Sequence, residues 1–303
     1  MSFSADVKAE LCRSPLSSPC CAVAEAYGVL LYCACFTARE IRIITGNRDF
    51  AERLPRLFRR AFALGFDRVE TNVSGSKRSF LMTDTEKIGA IFTKYGYDAN
   101  ASLAHHVNLG ILEEECCRVS FVRGAFLAGG SVTDPEKRYH LELTTAHQSV
   151  SRETFSVLLE LGFNPKEIVR SGNYVNYFKQ SEVMEDLLTT LGAPVSAMAI
   201  MSAKVEKDMR NAINRKVNCD SANADKIVSA AQEQLDAIRR IDRAMGLDQL
   251  PEKLAQTALL RVANPDASLS DLAMLSDPPV TKSCLGHRLK KLVETAAALP
   301  DTE

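Results

Sequence analysis

The sequence predicts an α+β protein: an αββαββα unit occurs twice about a pseudo-two-fold axis, and an all-α domain with a helix-turn-helix follows. Three observations predict this. One order of helical and strand patterns recurs after a shift of 96 positions. Residues 122–132 form a glycine-bearing helical pattern that Gly-Gly-Ser-Val converts into a strand. After Pro194, only helical patterns remain.

Composition and charge exclude several classes of protein. The 303 residues carry a formal net charge of −1, so any DNA contact must come from a local patch and not from a general basic field. This length favours two or three domains over one. The apolar runs at residues 29–36 and 193–201 are too short to cross a bilayer, and no secretory signal pattern opens the sequence. We therefore expect a cytoplasmic protein without membrane contact.

The cysteine content predicts neither disulfides nor a zinc ribbon, because the number is odd and no CxxC pair occurs. One alternative is a metal site formed by Cys33, Cys35 and a Cys-Cys doublet. We expect buried, reduced thiols instead, with no metal and no cofactor. The nine cysteines are Cys12, Cys20, Cys21, Cys33, Cys35, Cys116, Cys117, Cys219 and Cys284.

The first copy of the repeat follows a short helix at residues 2–13. Small residues mark its elements: Gly28 lies in the middle of the first long helix, Gly65 ends the second, and Ser74-Gly75-Ser76 forms a turn. The predicted helices are residues 20–32, 49–64 and 85–95, and the predicted strands are residues 35–38, 41–45, 68–73 and 80–82.

The second copy repeats this pattern of marker residues. Gly124 lies 96 positions after Gly28, and the doublet Cys116-Cys117 lies 96 positions after Cys20-Cys21. Glu182 matches Glu86, residues 161–163 match residues 64–66 with one residue of slack, and residues 191–192 match residues 95–96. Residues 139–145, 168–170 and 174–178 supply the corresponding strands. So many matches at one offset indicate a duplication.

Two such units would bury their sheet faces most simply by pairing about a pseudo-two-fold axis, with the helices of Gly28 and Gly124 in contact there. The alternative is two independent α+β domains that never touch. The predicted boundaries are residues 1–20 for the N-terminal helix, 21–195 for the duplicated domain (halves 21–100 and 117–195), 196–217 for a linker helix and 218–303 for the helix-turn-helix domain.

An asparagine-rich stretch, residues 214–234, lies within a long helical pattern. One interpretation is a helix break, with Asp220 or Ser221 capping a new helix, because asparagine disfavours helix interiors. The other is that polar side chains contact phosphates or base edges. The residues concerned are Asn214, Arg215, Asn218 and Asn223.

Three further helices are predicted at residues 251–262, 268–275 and 281–299. Pro251 begins the first, Ser268 with Asp271 forms a capping box for the second, and Thr281 caps the third after an Asp-Pro-Pro turn. The third helix has the apolar stripe Leu285, Leu289, Leu292, Val293 and Ala296. Four cations and no acid occur in residues 281–291. A short helix, a turn and a basic amphipathic helix are typical of a helix-turn-helix, although a charge run is more often only a solvated face.

The candidate DNA-binding residues follow from this assignment. We expect Lys282, Ser283, His287 and Arg288 to read bases, and Lys290 and Lys291 to contact phosphates. The two capping residues Ser268 and Thr281 complete the set.

Residues 122–131 resemble the LAGLIDADG motif of homing endonucleases, and residues 26–34 resemble a weaker first copy. The duplicated αββαββα layout is also that family's fold. The resemblance implies that an acidic residue before the last motif glycine binds the catalytic metal, but those positions here are Cys33 and Gly129. Without two carboxylates we expect no catalytic residues and no enzyme. The nearby Asp134 is expected to lie in a turn.

The whole chain is similar to the WhiA family of bacterial regulators. The similar blocks are SFSADVKAELC, RGAFLAGGSVTDPEKRYHLEL, NRKVNCDSANADK and SLSDLAMLSDPPVTKSCLGHRLKKL. The resemblance implies a sequence-specific DNA-binding regulator, associated with the nucleoid and linked to cell division, chromosome segregation and, in sporulating lineages, sporulation.

The expected partner is double-stranded DNA, and a second regulatory protein could dock on the duplicated domain. Two other functions stay open from the residues alone. One is a Mg²⁺-dependent endonuclease, against which Cys33 and Gly129 argue. The other is a regulator whose first domain senses a ligand or a partner and does not bind DNA.

Overall fold

The computed structural model describes residues 2–16, 18–71, 75–98 and 105–299, which form two compact units, residues 1–208 and residues 209–303. The predicted fold class is confirmed: a duplicated α+β domain precedes a helical domain with a helix-turn-helix. Outside the described residues lie the end of the predicted third strand (residues 72–73), Ser74 of the predicted turn, and the predicted boundaries at residues 100 and 303.

The first repeat forms a four-stranded antiparallel sheet in the order β1-β2-β4-β3. In β2, Ile41 and Ile43 point into the core, whereas Arg42 and Ile44 point to solvent, as the period of two in a strand requires. The elements are α1 (Phe3–Leu11), α2 (Pro19–Leu31), β1 (Cys35–Phe36), β2 (Ile41–Thr45), α3 (Arg48–Phe62), β3 (Arg68–Thr71), β4 (Arg78–Met82) and α4 (Thr85–Tyr95).

The second repeat has the same order of elements and the same strand order, β5-β6-β8-β7, which confirms the duplication. A short 3-10 helix, Leu109–Ile111, precedes it. The elements are α5 (Glu115–Gly129), β5 (Gly130–Val132), β6 (Leu141–Thr145), α6 (Gln148–Glu160), β7 (Lys166–Arg170), β8 (Asn173–Phe178) and α7 (Ser181–Leu191).

Helices α2 and α5 pack against each other at backbone distance. A Cβ atom on Gly28 would lie 2.1 Å from the carbonyl oxygen of Phe121, and one on Gly124 would lie 2.0 Å from that of Glu25. Side chains of both repeats form a single hydrophobic core around this pair. The alternative of two domains that never touch is therefore wrong.

Helix α3 ends earlier than predicted. Ala63, not Gly65, takes the left-handed conformation at its end (φ 59°), and its N–H donates to the carbonyl oxygen of Arg59. This earlier turn brings Phe66 against Phe58, with ring centroids 4.4 Å apart. Packing of that aromatic pair outweighs the preference of glycine for the turn position.

Helix α8 (Pro194–Met245) is continuous over 52 residues, so the predicted break at Asp220 or Ser221 is wrong. Each asparagine costs a helix only about 0.7 kcal/mol relative to alanine, whereas residues 195–245 contain no glycine or proline. Gly246, with φ 82°, then ends the helix.

The second unit is built from the end of α8 with α9 (Glu252–Ala263), α10 (Leu269–Leu275) and α11 (Lys282–Ala297), and a short 3-10 helix, Leu247–Gln249, connects α8 to α9. Pro251 is the N-cap of α9 and not its first helical residue, a shift of one position from the prediction. Leucines, isoleucines and alanines of the four helices and of the connection before α9 form the core: Ala237, Ile238, Ile241, Leu250, Leu254, Ala258, Leu272, Ala273, Leu285, Leu289, Leu292 and Ala296.

Candidate nucleic-acid interface

The start of α11 is fixed by its own sequence. The hydroxyl of Thr281 accepts a hydrogen bond from the N–H of Cys284 at 3.2 Å, which satisfies one of the free donors of the first turn. Lys282 and Ser283, the first two helical residues, are exposed next to this cap. The helix therefore presents them in a defined direction.

The preceding helix and the turn are held equally well. Ser268 and Asp271 form the predicted capping box at the start of α10. In the turn, the hydroxyl of Ser276 donates to the carbonyl oxygen of Ala273 at 2.8 Å and accepts from the N–H of Val280 at 3.1 Å. These bonds fix α10 relative to α11, and no sequence pattern predicted the role of Ser276.

A buried arginine supports the loop before α10. Arg261 is 2% exposed, and its guanidinium donates to the carbonyl oxygen of Ala267 at 2.8 Å and to the side chain of Gln234 at 2.9 Å. The sequence placed it in the last turn of a helix, where arginines usually face water. It is a residue that positions the helix-turn-helix and that sequence reasoning missed.

The predicted base-reading side chains do not all point the same way. The stripe of Leu285, Leu289 and Leu292 is buried, and at about 100° per residue Ser283, His287 and Lys290 lie on the opposite face. Lys291 lies beside this outward row, and Lys290 is 3.7 Å from Glu294.

Two of the predicted residues flank the outward row. Lys282 is exposed at the start of the helix. Arg288 is half-buried and lines a cleft of about 420 Å³ together with Leu275 and Asp277. The outward row of α11 therefore contains Lys290, with Lys282 on one side of the row and Lys291 and Arg288 on the other.

The four polar residues of α8 are all exposed within residues 208–229, a stretch of the helix in which every side chain is exposed. Asn214 and Asn218 are one turn apart on one face, with Arg215 next to them. Asn223 lies about half a turn away, and its amide is 3.7 Å from Cys219 Sγ. One flat surface could not contact all four.

The two positions where the LAGLIDADG motif would carry acids hold no carboxylate. The Cys33 Sγ lies 3.1 Å from the carbonyl oxygens of both Leu30 and Cys35 and can donate its one hydrogen to either, and burial raises the pKa of this thiol to about 12. A Cβ atom on Gly129 would lie 2.6 Å from the carbonyl oxygen of Thr144. The second position therefore has no room for an acidic side chain.

The open faces of the two sheets carry cations that have acidic partners. Arg42 lies 3.3 Å from Glu40, and Arg68 lies 3.3 Å from Glu70. In the second sheet, Arg170 lies 3.0 Å from Glu142, whose pKa is lowered by His140 and Arg170 against the opposing effect of burial. These pairs offset part of the positive charge of the sheets, on which Lys166 of β7 is also exposed. Among the described residues, no helix has both the length and the apolar composition needed to cross a membrane.

The chain combines a duplicated LAGLIDADG-like domain that lacks the motif carboxylates with a capped helix-turn-helix. This combination defines a class of proteins that keep a nuclease fold beside a helix-turn-helix module. Two family models match the chain: the WhiA LAGLIDADG-like domain over residues 118–210, and the WhiA C-terminal HTH domain over residues 213–296. The chain belongs to the WhiA family.

Relatives along the whole chain agree with this assignment. A probable cell division protein WhiA of Ruminiclostridium cellulolyticum is 39% identical over 98% of this chain and 97% of its own length. One of Alkaliphilus metalliredigens is 33% identical over 98% of both. The crystal structure of full-length DUF199/WhiA from Thermatoga maritima, 24% identical, covers 100% of both chains with a TM-score of 0.61, which supports the fold.

Proposed function

We propose that this protein is a sequence-specific, double-stranded DNA-binding regulator that acts in cell division, as the names of its relatives suggest. The observation that carries the proposal is the exposed, cationic surface of α11, held at its start by the Thr281 cap and at its base by the buried leucine stripe. A helix presented in this way fits the major groove of B-DNA. The family resemblance implies finer roles in transcriptional control, chromosome segregation and sporulation. It also implies that the protein acts in the cytoplasm, at the nucleoid.

The geometry of α11 divides the proposed contacts. Ser283 and His287, on the outward row, would lie deepest in the groove, with Lys282 and Arg288 reaching bases from the two sides. Lys290 and Lys291 would contact phosphates, which position a helix without reading sequence. The cap residues Ser268 and Thr281 would offer hydroxyls and the first-turn N–H groups to the backbone of DNA.

The duplicated domain would not supply the main DNA contact in this proposal, because three of its sheet arginines, Arg42, Arg68 and Arg170, already have the acidic partners Glu40, Glu70 and Glu142. We assign it instead to docking of another regulatory protein or of a ligand. The α8 residues Asn214, Arg215 and Asn218 share one side of their helix and would add a secondary contact to DNA, whereas Asn223 points elsewhere.

The test uses the full chain and DNA sites selected by the wild-type protein from a random pool. Lys282→Ala with Arg288→Ala should lower affinity for the selected sites by roughly 30-fold or more, because each base contact contributes about 1–3 kcal/mol. The matched control is Arg239→Ala with Arg243→Ala. Arg239 is adjacent to Arg240, and Arg243 lies about one turn beyond it. The guanidinium of Arg240 donates to the carbonyl oxygen of Leu299, which lies past the C-terminal end of α11. The control arginines are therefore near the end of α11 opposite to Lys282. Gel-shift titration at physiological salt should find the control unchanged.

Equal affinity of the first double variant and the wild type would remove α11 from the interface. An equal loss in both variants would indicate a general charge effect without base readout. Cleavage of a supercoiled plasmid by the pure protein with Mg²⁺ would instead support the endonuclease alternative.

A further inference from the structure

Two cysteine doublets meet at one end of the central helix pair. Cys20 and Cys21 lie in the first turn of α2, and Cys116 and Cys117 lie in the first turn of α5, at equivalent helical positions. Their four sulfur atoms all lie within 4.8 Å of one another. The pseudo-two-fold axis of the duplication brings the doublets together, although 96 positions separate them in the sequence.

The spacing of the sulfurs matches a single tetrahedral ion. Zinc–sulfur bonds of about 2.3 Å place thiolates about 3.8 Å apart in a tetrahedron, so small side-chain rotations would complete the site. An iron–sulfur cluster would hold its cysteines further apart, because iron and sulfide atoms lie between them. Four thiolates select a soft or borderline cation over Mg²⁺ or Ca²⁺.

The surroundings also suit bound thiolates. The amino-terminal ends of α2 and α5 both point at the cluster, and the partial positive charge of each helix end stabilises negative sulfur. The hydroxyl of Ser18 lies 2.8 Å from Cys20 Sγ as a further polar partner. Cys20 and Cys116 are exposed, and a cleft of about 580 Å³ lined by Cys21, Cys116 and Arg123 gives an ion access.

This cluster is separate from the lost nuclease site. Gly129 ends α5, 13 residues after Cys116, which is about 20 Å along the helix. Both helices therefore have the motif positions at one end and the cysteines at the other.

We propose that Cys20, Cys21, Cys116 and Cys117 bind one Zn²⁺ ion in a tetrathiolate site that joins the two repeats at the amino-terminal ends of α2 and α5. The ion binds the folded chain because only the fold brings the doublets together, and it therefore stabilises the duplicated domain. The expectation of no metal, which rested on the absence of CxxC pairs, is replaced by this proposal.

The test measures metal in the full chain, purified anaerobically with reductant from zinc-supplemented cells. We expect one Zn²⁺ per chain by elemental analysis and, after exchange with Co²⁺, the thiolate charge-transfer and visible bands of a tetrahedral tetrathiolate. Cys20→Ser with Cys116→Ser changes only exposed cysteines and should abolish both signals. The matched control, Cys219→Ser with Cys284→Ser, changes two exposed cysteines outside the cluster and should keep both.

Stability gives a second measurement on the same proteins, once circular dichroism has shown that all are folded. Free Zn²⁺ at about 100 times its Kd should raise the Tm of the wild type and the control by about 5–10 °C and leave the cluster variant unchanged. Wild-type protein that takes up neither Zn²⁺ nor Co²⁺ when reduced would overturn the proposal, as would full zinc content in the cluster variant. If the protein binds no metal after reduction but contains a disulfide among the four cysteines, the zinc proposal is wrong and the cluster is a redox cross-link.

Discussion

Single residues determine how closely the two repeats approach. Gly28 and Gly124 each face a backbone carbonyl of the other central helix, so even one methyl group would have to displace main-chain atoms. Next to this contact, Arg53 donates to both carboxylate oxygens of Glu25, at 2.5 and 2.8 Å, and both side chains are at most 2% exposed. Arg123 adds a contact to the same carboxylate at 3.4 Å. The axis therefore combines close backbone packing with a buried ion network.

Gly28→Ala should destabilise the protein by about 3 kcal/mol, because the new Cβ would overlap the carbonyl oxygen of Phe121 and the helices would have to separate. The matched control is Gly89→Ala in α4, where a Cβ meets nothing within 4 Å. That change should be neutral or stabilising by up to about 1 kcal/mol, since alanine favours helix. Denaturant unfolding followed by circular dichroism measures both, and equal stabilities would contradict the packing argument.

At the scale of elements, the residues at a helix start specify where the helix begins, but local residues do not always specify how long it is. The starts of α10 and α11 follow from Ser268 and Thr281, which cap their helices as the sequence predicts. Helix α8 continues through an asparagine-rich stretch because small unfavourable propensities do not interrupt a helix that lacks glycine and proline. The polar composition of that stretch thus reports on its exposure and not on a break.

Removal of the α11 cap tests its role. Thr281→Ala should cost about 1 kcal/mol of stability in the helix-turn-helix unit and weaken DNA binding, because the first turn that carries Lys282 and Ser283 would fray. Thr295→Ala is the control: its hydroxyl donates to the carbonyl oxygen of Lys291 within the same helix and caps nothing. Thermal unfolding and gel-shift titration of both variants check the prediction, and equal behaviour would show that the cap is dispensable.

At the scale of the whole molecule, each compact unit has its own hydrophobic core, and α8 contributes residues to both. In the repeat domain, three sheet arginines have acidic partners, whereas the surface of α11 carries cations in excess. This distribution of charge is the basis for assigning DNA binding to one unit and docking to the other.

A fragment of residues 1–208 should fold by itself and keep the circular dichroism of a mixed α/β domain, because its core is complete. It should bind the selected DNA sites no more tightly than random DNA, whereas the full chain discriminates between them. Competition gel shifts with the folded fragment measure this ratio. Tight, specific binding by the fragment would show that the repeat domain reads DNA.

The sequence by itself determined the features that neighbouring residues encode. These are the duplication, the αββαββα order, the caps of α10 and α11, and the two motif positions without acids. Periodicity, capping and the offset between the repeats are properties of the linear chain. Most of the fold and the candidate residues of α11 could therefore be predicted from the sequence.

Only the tertiary structure decided which distant residues meet. Arg53 and Arg261 have the sequence context of surface arginines, yet both are buried, because Glu25 of α2 accepts from Arg53 and Gln234 of α8 accepts from Arg261. Ala63 takes the left-handed conformation in the turn that places Phe66 against Phe58, and the two cysteine doublets form one cluster. The physical reason is that these interactions depend on distances set by packing, and the sequence carries no local signal of which side chains packing brings together.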